Sequence, residues 1–194
     1  MNNKDPEQQP RWQSVDTSAY DKQWADLEAS GKSAHGEVDF VQRFSPTSVL
    51  DAGCGTGRVA IELAARGYDV VGVDLDEPFI ETAQRKAPDL DFRRGDLSTL
   101  DLGRTFDVAV MAGNIMIFVS PGTEPDVIER LTAHLNPGGR LISGFQLNRG
   151  LSAEHYVELC EAAGLETEQH NSTWSGDAPS PNDDYAVFVH RLPE

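Results

Sequence analysis

The run Val49-Leu50-Asp51-Ala52-Gly53-Cys54-Gly55-Thr56-Gly57 constrains this chain more than any other stretch. An apolar strand end opens onto three glycines, each two positions from the next. A helix-like segment follows, and then a second apolar run, Val70-Val71-Gly72-Val73, ending in Asp74. That order is half of a nucleotide-binding βαβ unit. The glycines permit a tight turn, an exposed backbone and the close approach of a ligand. Asp74 falls where a carboxylate accepts hydrogen bonds from two ribose hydroxyls.

The spacing narrows the ligand. A dinucleotide fingerprint reads G-x-G-x-x-G, because the pyrophosphate rests on the helix N-terminus. Here the third glycine comes one residue early, and Arg58 stands where that pattern wants glycine. No G-x-x-x-x-G-K-[ST] phosphate loop is present. Asp51, two residues before Gly53, would repel a pyrophosphate. The pattern therefore does not fit a dinucleotide.

The D-x-G-x-G-x-G run resembles motif I of the class I S-adenosylmethionine-dependent methyltransferases. Four further segments resemble that family in the correct order: Gly72-Val73-Asp74, Gly95-Asp96-Leu97, Phe106-Asp107-Val108 and Leu135-Asn136-Pro137-Gly138-Gly139-Arg140-Leu141. The resemblance covers roughly 48–191. It implies a Rossmann-like seven-stranded sheet, mostly parallel with an antiparallel last strand and helices on both faces. It also implies S-adenosylmethionine as cofactor, S-adenosylhomocysteine as product, and methyl transfer as the reaction. It does not imply a substrate. The chain lacks Asn-Pro-Pro-Tyr at the exit of the fourth strand, where the sequence is Gly113-Asn114-Ile115-Met116. It therefore resembles the minimal members that act on small molecules.

Composition agrees with a small-molecule acceptor. With 32 acidic against 16 basic residues the net charge is −16, which repels nucleic-acid phosphates. No stretch approaches the ~20 apolar residues of a membrane span. Two scattered cysteines, Cys54 and Cys160, suggest a reducing, cytoplasmic setting rather than a disulfide framework. The five histidines show no metal-binding spacing, and no metal is expected. The oligomeric state is not legible.

The 194 residues read as a disordered lead over 1–14 and one domain over 15–194, with N-terminal helices at 15–46 and the core at 47–194. Periodicity predicts helices at 15–30 and 34–44. Thr56 is a fair N-cap for a helix over 56–66, and Asp76 and Ser152 for helices over 76–86 and 152–164. Another helix is expected over 124–135. Strands are expected at 48–52, 69–74, 91–94, 106–111, 140–145, 165–173 and 185–191, with 136–139 a turn.

Ligands in such sheets lie beyond the carboxyl ends of the strands. The cofactor candidates map there: Asp51, Gly53, Cys54, Gly55 and Gly57 after the first strand, Asp74 and Leu75 after the second, Asp96 and Leu97 after the third, and Ala112, Gly113 and Asn114 after the fourth. On the resemblance, the Gly53 carbonyl receives the methionyl ammonium and Asp74 the ribose. Asp96 and the Leu97 amide meet adenine, with Leu75 against its face. Asn114 lines the methyl-transfer mouth. Acceptor candidates are Tyr20, Trp24, Phe118, Gln146, Arg149 and Trp174, with Phe145 as a further apolar wall. No catalytic base is identified; His35, Tyr20 and Asn114 are the candidates. A nicotinamide-dependent oxidoreductase and a non-catalytic S-adenosylmethionine-binding module are the alternatives.

Overall fold

A computed structural model of the chain describes Lys22 and residues 35–194. The expected helix over 15–30, the 1–14 lead, Tyr20 and Trp24 lie outside the described residues. The described chain runs α1 (Gly36–Gln42), β1 (Ser48–Ala52), α2 (Arg58–Ala65), β2 (Asp69–Asp74), α3 (Glu77–Lys86) and β3 (Asp91–Arg94). It continues through a 3-10 turn (Leu97–Thr99), β4 (Phe106–Met111), α4 (Ile115–Phe118), α5 (Glu124–Ala133), β5 (Leu135–Gln146), α6 (Ala153–Ala162), β6 (Glu166–Asn171) and β7 (Tyr185–Arg191).

The strands form one sheet in the order β3-β2-β1-β4-β5-β7-β6. β1 pairs in parallel with β2 and β4, β2 with β3, and β4 with β5. β7 inserts antiparallel between β5 and β6. The chain reverses direction across the sheet between β1 and β4, and a crevice at such a switch point is where parallel sheets hold ligands. Register aligns the strand tips there: Ala52 sits beside Val73, Asp51 beside Val110, and Met111 beside Ser143.

Apolar content explains the layers. β1 is buried along its whole length, as a central parallel strand with helices on both faces must be. On one face Val38, Phe40 and Val41 of α1 join Val59 and Leu63 of α2 and Ile80 and Ala83 of α3. On the other, Met116 of α4, Val127, Ile128 and Leu131 of α5, and Tyr156 and Cys160 of α6 form the second core. Cys54 and Cys160 are free, buried, and belong to opposite faces. β6, rich in charged and polar residues, is mostly exposed at the sheet edge, where such residues discourage further strand pairing. Among the described residues no helix is long and apolar enough to cross a membrane.

The caps at Asp76 and Ser152 form as the sequence predicts, accepting from Phe79 N (3.3 Å) and His155 N (3.2 Å). Thr56 is not a cap. Gly57, with φ 84°, takes that position and α2 begins at Arg58, because the glycine loop must end in a left-handed residue before the helix can start. The expected turn at 136–139 is a wide irregularity inside β5. Register jumps from Phe106–Leu135 to Val108–Arg140, and Gly138 at φ 75° absorbs the surplus. No periodicity anticipates α4, a single turn of four residues.

Candidate functional site

The glycine loop is held from outside itself. Gly53 and Cys54 both donate to the Val73 carbonyl at the tip of β2, at 2.7 and 2.9 Å. Gly55 N donates to Asp74 Oδ2 at 2.8 Å, and Asp76 N to Asp74 Oδ1 at 2.9 Å. Asp74 thus ties the loop after β1 to the turn after β2. Its carboxylate is raised above the usual range by burial, and the amides of Asp76 and Gly55 oppose that shift. Each oxygen keeps a lone pair for a further donor.

Gly53 shows why the loop excludes side chains. Its φ is 83°, and a Cβ there would stand 2.4 Å from Ile115 Cδ1. The Ile115 side chain fills the space that a side chain at this position would need. Leu75, beside Asp74, is the exposed large hydrophobic side chain among the described residues. Asp96 accepts from Ser98 N (3.0 Å) and Ser98 Oγ (2.7 Å) through Oδ1, so it caps the 3-10 turn. Leu97 is buried beside it. These groups have the chemistry an adenosyl ligand needs: two carboxylate oxygens that can accept from hydroxyls, an exposed apolar side chain for a ring face, and a glycine-rich loop.

Asp51 lies beneath that loop and not on its surface. It is 1% exposed, and its carboxylate accepts one hydrogen bond, from Ala60 N in the first turn of α2 at 3.0 Å. Burial raises its carboxyl to about 7, partly offset by the nearby Arg58 guanidinium. Arg58 itself is engaged bidentately by Glu37 of α1, at 2.6 and 3.0 Å. Both side chains are nearly buried. Cys54 is buried, and its thiol is pushed well above its ordinary value by desolvation, then by Asp51. It carries no sign of an activated nucleophile.

The fourth strand opens the other half. Ala112 is buried, and Gly113, at φ 78°, has nothing within 4 Å of where a Cβ would stand. Asn114, also left-handed at φ 69°, binds across to β5: its amide donates to Gly144 O (3.2 Å) and its Oδ1 accepts from Gln146 N (2.8 Å). The side chain of Asn114 therefore shapes the strand exit. Arg149 Nε reaches Gln146 Oε1 at 3.3 Å.

Trp174 lies over β5. A Cβ on Gly144 would come within 2.5 Å of both the indole and the Tyr185 hydroxyl. The indole N–H donates to that hydroxyl at 3.0 Å, and Phe40 of α1 meets the ring edge-on at 5.7 Å. Arg43 donates to Ser175 O at 2.9 Å and holds the following loop against α1. Burial pushes the Tyr185 phenol up to about 12, so it is a hydrogen-bonding group at neutral pH and not a base.

The sequence candidates are thus brought together only in part. Asp51, the three glycines, Asp74, Leu75, Asn114 and Gln146 converge on the strand tips. Phe145 does not: it is fully buried on the α6 face against Tyr156 and Phe188, because its position in β5 alternates away from the crevice. Phe118 is half-buried and packs on that same core. His35 makes no side-chain cap for α1; its Nε2 faces Glu62 of α2 at 4.0 Å. Glu37 and Tyr185 were missed. Their partners lie 21 and 11 residues away, and no local spacing signals such pairs.

Known proteins are similar to this chain in sequence and fold. A family profile described as a methyltransferase domain matches residues 49–139. The solved structure of a TehB-like S-adenosylmethionine-dependent methyltransferase from Corynebacterium glutamicum is similar at TM-score 0.84 and 31% identity, covering 92% of this chain and 98% of that one. Among curated proteins, the cypemycin N-terminal methyltransferase of a Streptomyces species is 37% identical over 95 residues, 47% of this chain and 39% of that protein. The dTDP-3-amino-3,6-dideoxy-alpha-D-glucopyranose N,N-dimethyltransferase of Streptomyces fradiae is 32% identical over 122 residues, 59% of this chain and 48% of that protein. The matched regions span less than half of either curated relative.

Proposed function

This chain belongs to the class I S-adenosylmethionine-dependent methyltransferases, and from that premise we propose that it transfers a methyl group to a small molecule whose acceptor atom is an amine nitrogen. Family membership removes the nicotinamide-dependent alternative. The observation that carries the reading is the pairing of the glycine loop with Asp74. The loop amide of Gly55 and the Asp74 carboxylate are bonded to each other, so the site is formed before any ligand arrives. Two further points support an amine: one curated relative is named an N,N-dimethyltransferase and another an N-terminal methyltransferase, beside relatives named O-methyltransferases, and a chain of net charge −16 attracts cationic amines from solution.

When bound, the cofactor supplies an electrophilic methyl group on a sulfonium. The residues of this chain then do four things. Asp74 accepts from the ribose and fixes the nucleoside along the strand tips. Leu75 covers an apolar ring face. The open position at Gly113 leaves the mouth clear for an acceptor. Trp174, clamped by Tyr185 and Phe40, provides a rigid aromatic wall beside β5, and the neutral Tyr185 hydroxyl can donate to the acceptor. An amine attacks through its lone pair and sheds a proton afterwards, so catalysis rests on alignment, which contributes up to ~7–11 kcal/mol in favourable cases.

The test is transfer of labelled methyl from S-adenosylmethionine to a panel of aminosugars, peptides with free N-termini, catechols and carboxylic acids. Label on the amines alone is expected. Label on oxygen acceptors only would overturn the amine assignment. Binding of the cofactor with no turnover on any acceptor would favour a non-catalytic module.

A further inference from the structure

Arg58 stands where the glycine loop becomes a helix. It is the first residue of α2 and follows Gly57, the left-handed residue that closes the loop. Its guanidinium engages Glu37 of α1 through two bonds, Nη1 to Oε2 at 3.0 Å and Nη2 to Oε1 at 2.6 Å. The two side chains are 12% and 10% exposed. A forked pair with so little water around it is hard to open, because each partner would be left charged in a poorly solvated place. Other ties of the loop run to other elements: Gly53, Cys54 and Gly55 bond to β2, and Lys86 Nζ of α3 donates to Thr56 O at 3.3 Å.

The far side of the pair leads to Trp174. Gly36, next to Glu37, is backed by that residue: a Cβ on it would meet Trp174 Cβ at 3.8 Å. Glu37, Phe40 and Arg43 recur every three residues and so lie along one side of α1. Phe40 meets the indole edge-on, and Arg43 lies over the Phe40 ring at 4.9 Å while it donates to Ser175 O. Burial raises the Tyr185 phenol most and the indole bond opposes it; Glu37 then raises it and Arg58 lowers it. The pair is thus within electrostatic reach of the hydroxyl that receives the indole N–H. A second tie between α1 and α2, Arg66 to Asp39 at 2.6 Å, lies past the other end of α2 and is more exposed.

Resting on the cofactor seat and the acceptor wall described above, we propose that Glu37 and Arg58 are positioning residues that tie the Trp174 wall to the cofactor loop, with α1 as the strut between them. They act through α1 and not on the reacting atoms. A ligand seated on the loop holds Gly57 and Arg58, Arg58 holds Glu37, and α1 then keeps Phe40 and Trp174 in place beside β5. An opening of α1 that frees Arg58 disturbs the seat of the ligand, so a bound ligand suppresses that opening. The wall is therefore firmest when the cofactor is present, which is when an acceptor has to be aligned.

The experiment is amide hydrogen exchange of the full chain, with and without S-adenosylhomocysteine at about ten times its Kd, in wild type, Glu37→Gln and Asp39→Asn. In wild type the ligand should slow exchange about three- to tenfold over 53–58, in α1 and at 174–176, and leave the edge strand β6 within about twofold. Glu37→Gln should keep the slowing over 53–58 and lose it in α1 and at 174–176. Asp39→Asn should keep it at all three. A pair that served the fold alone would speed exchange in α1 equally with and without ligand; the ligand's effect at 174–176 would then survive in Glu37→Gln, and that result overturns the proposal. One outcome needs no variant: slowing over 53–58 in wild type with none in α1 or at 174–176 overturns the proposal alone. Binding of the ligand to wild type with no slowing over 53–58 overturns the cofactor seat, and the proposal with it.

Discussion

Two aspartates at opposite edges of the same sheet are treated in opposite ways. Asp107, at the amino edge of β4, accepts four hydrogen bonds: from Thr47 N (2.7 Å), Thr47 Oγ1 (2.5 Å), Ser48 N (3.1 Å) and Asn136 Nδ2 (2.8 Å). Those donors hold its carboxyl well below the ordinary range, so it stays ionised. Asp51, at the carboxyl edge of β1, receives one donor and lies in the dry interior. The amino edge is satisfied by the protein itself and stitches β1, β4 and β5 together. The carboxyl edge is left shorter of partners, and it is the edge we propose for the cofactor. Stability and binding should therefore separate between the two edges.

The largest effect should come from Asp74→Ala. It removes the acceptor we propose for both ribose hydroxyls and releases the Gly55 amide. Losing two bonds to a charged group costs about 3 kcal/mol, or roughly a 100-fold weaker Kd for S-adenosylmethionine by calorimetry. Unchanged affinity would break the comparison at the binding edge. Asp107→Ala should do the converse. We expect a loss of about 2 kcal/mol in urea unfolding, with cofactor Kd held within about twofold. A variant that keeps its stability but loses the cofactor would erase the distinction between the edges.

The pH dependence of stability sharpens the contrast across the sheet's two faces. His190 is fully buried on the α6 face, its ring nitrogens unpartnered, and burial lowers it from the ordinary value of 6.5 to about 4. The unfolded chain binds that proton more readily, so stability falls as pH drops from 6.5 through 4. Asp51 has the opposite sign. Its folded value is raised to about 7, so its contribution is present below the unfolded value of 3.8 and is lost as pH rises through 7. The two oppose each other between pH 4 and 6.5. Asp51→Asn should then lose on the order of 1–3 kcal/mol on going from pH 6.5 to 4.5, and His190→Phe should lose stability in the other direction, both by chemical denaturation. Parallel profiles for the two variants would contradict the assignment. Asp107 acts below this window, where acid protonates it and its stabilisation is lost.

The smallest effect concerns the acceptor wall. Trp174→Phe keeps a ring over Gly144 but removes the donor to Tyr185. It should cost about 1 kcal/mol of stability and leave cofactor Kd within twofold. A tenfold weaker cofactor would mean that the wall belongs to the cofactor half.

The same division decides what could be read from the sequence. The glycine loop and Asp74 are legible because their geometry is set by residues close in the chain: glycine permits a left-handed turn, and the strand before it is uniformly apolar. β3 and β4 begin and end where alternation and apolar runs place them. The acceptor half is not legible in this way. Trp174 is positioned by Gly144, Tyr185 and Phe40, from three elements far apart in sequence. The Glu37–Arg58 pair links α1 to the loop, yet neither residue's local pattern names the other. Phe145 departs from the expected wall for a related reason. Its aromatic character suits a pocket wall, but which face a strand residue takes depends on register, and the irregularity at 136–139 sets that register for β5.

The central claim is that an adenosyl sulfonium lies along the strand tips, with its ribose on Asp74 and its amino-acid tail on the loop above Asp51. A crystal structure with S-adenosylhomocysteine tests it most directly. The account predicts both ribose hydroxyls within hydrogen-bonding distance of the Asp74 carboxylate, the adenine face against Leu75, and Gly53 backbone between the ligand and Asp51. A ligand seated elsewhere, or one whose ribose leaves Asp74 bonded only to Gly55 and Asp76, would contradict it.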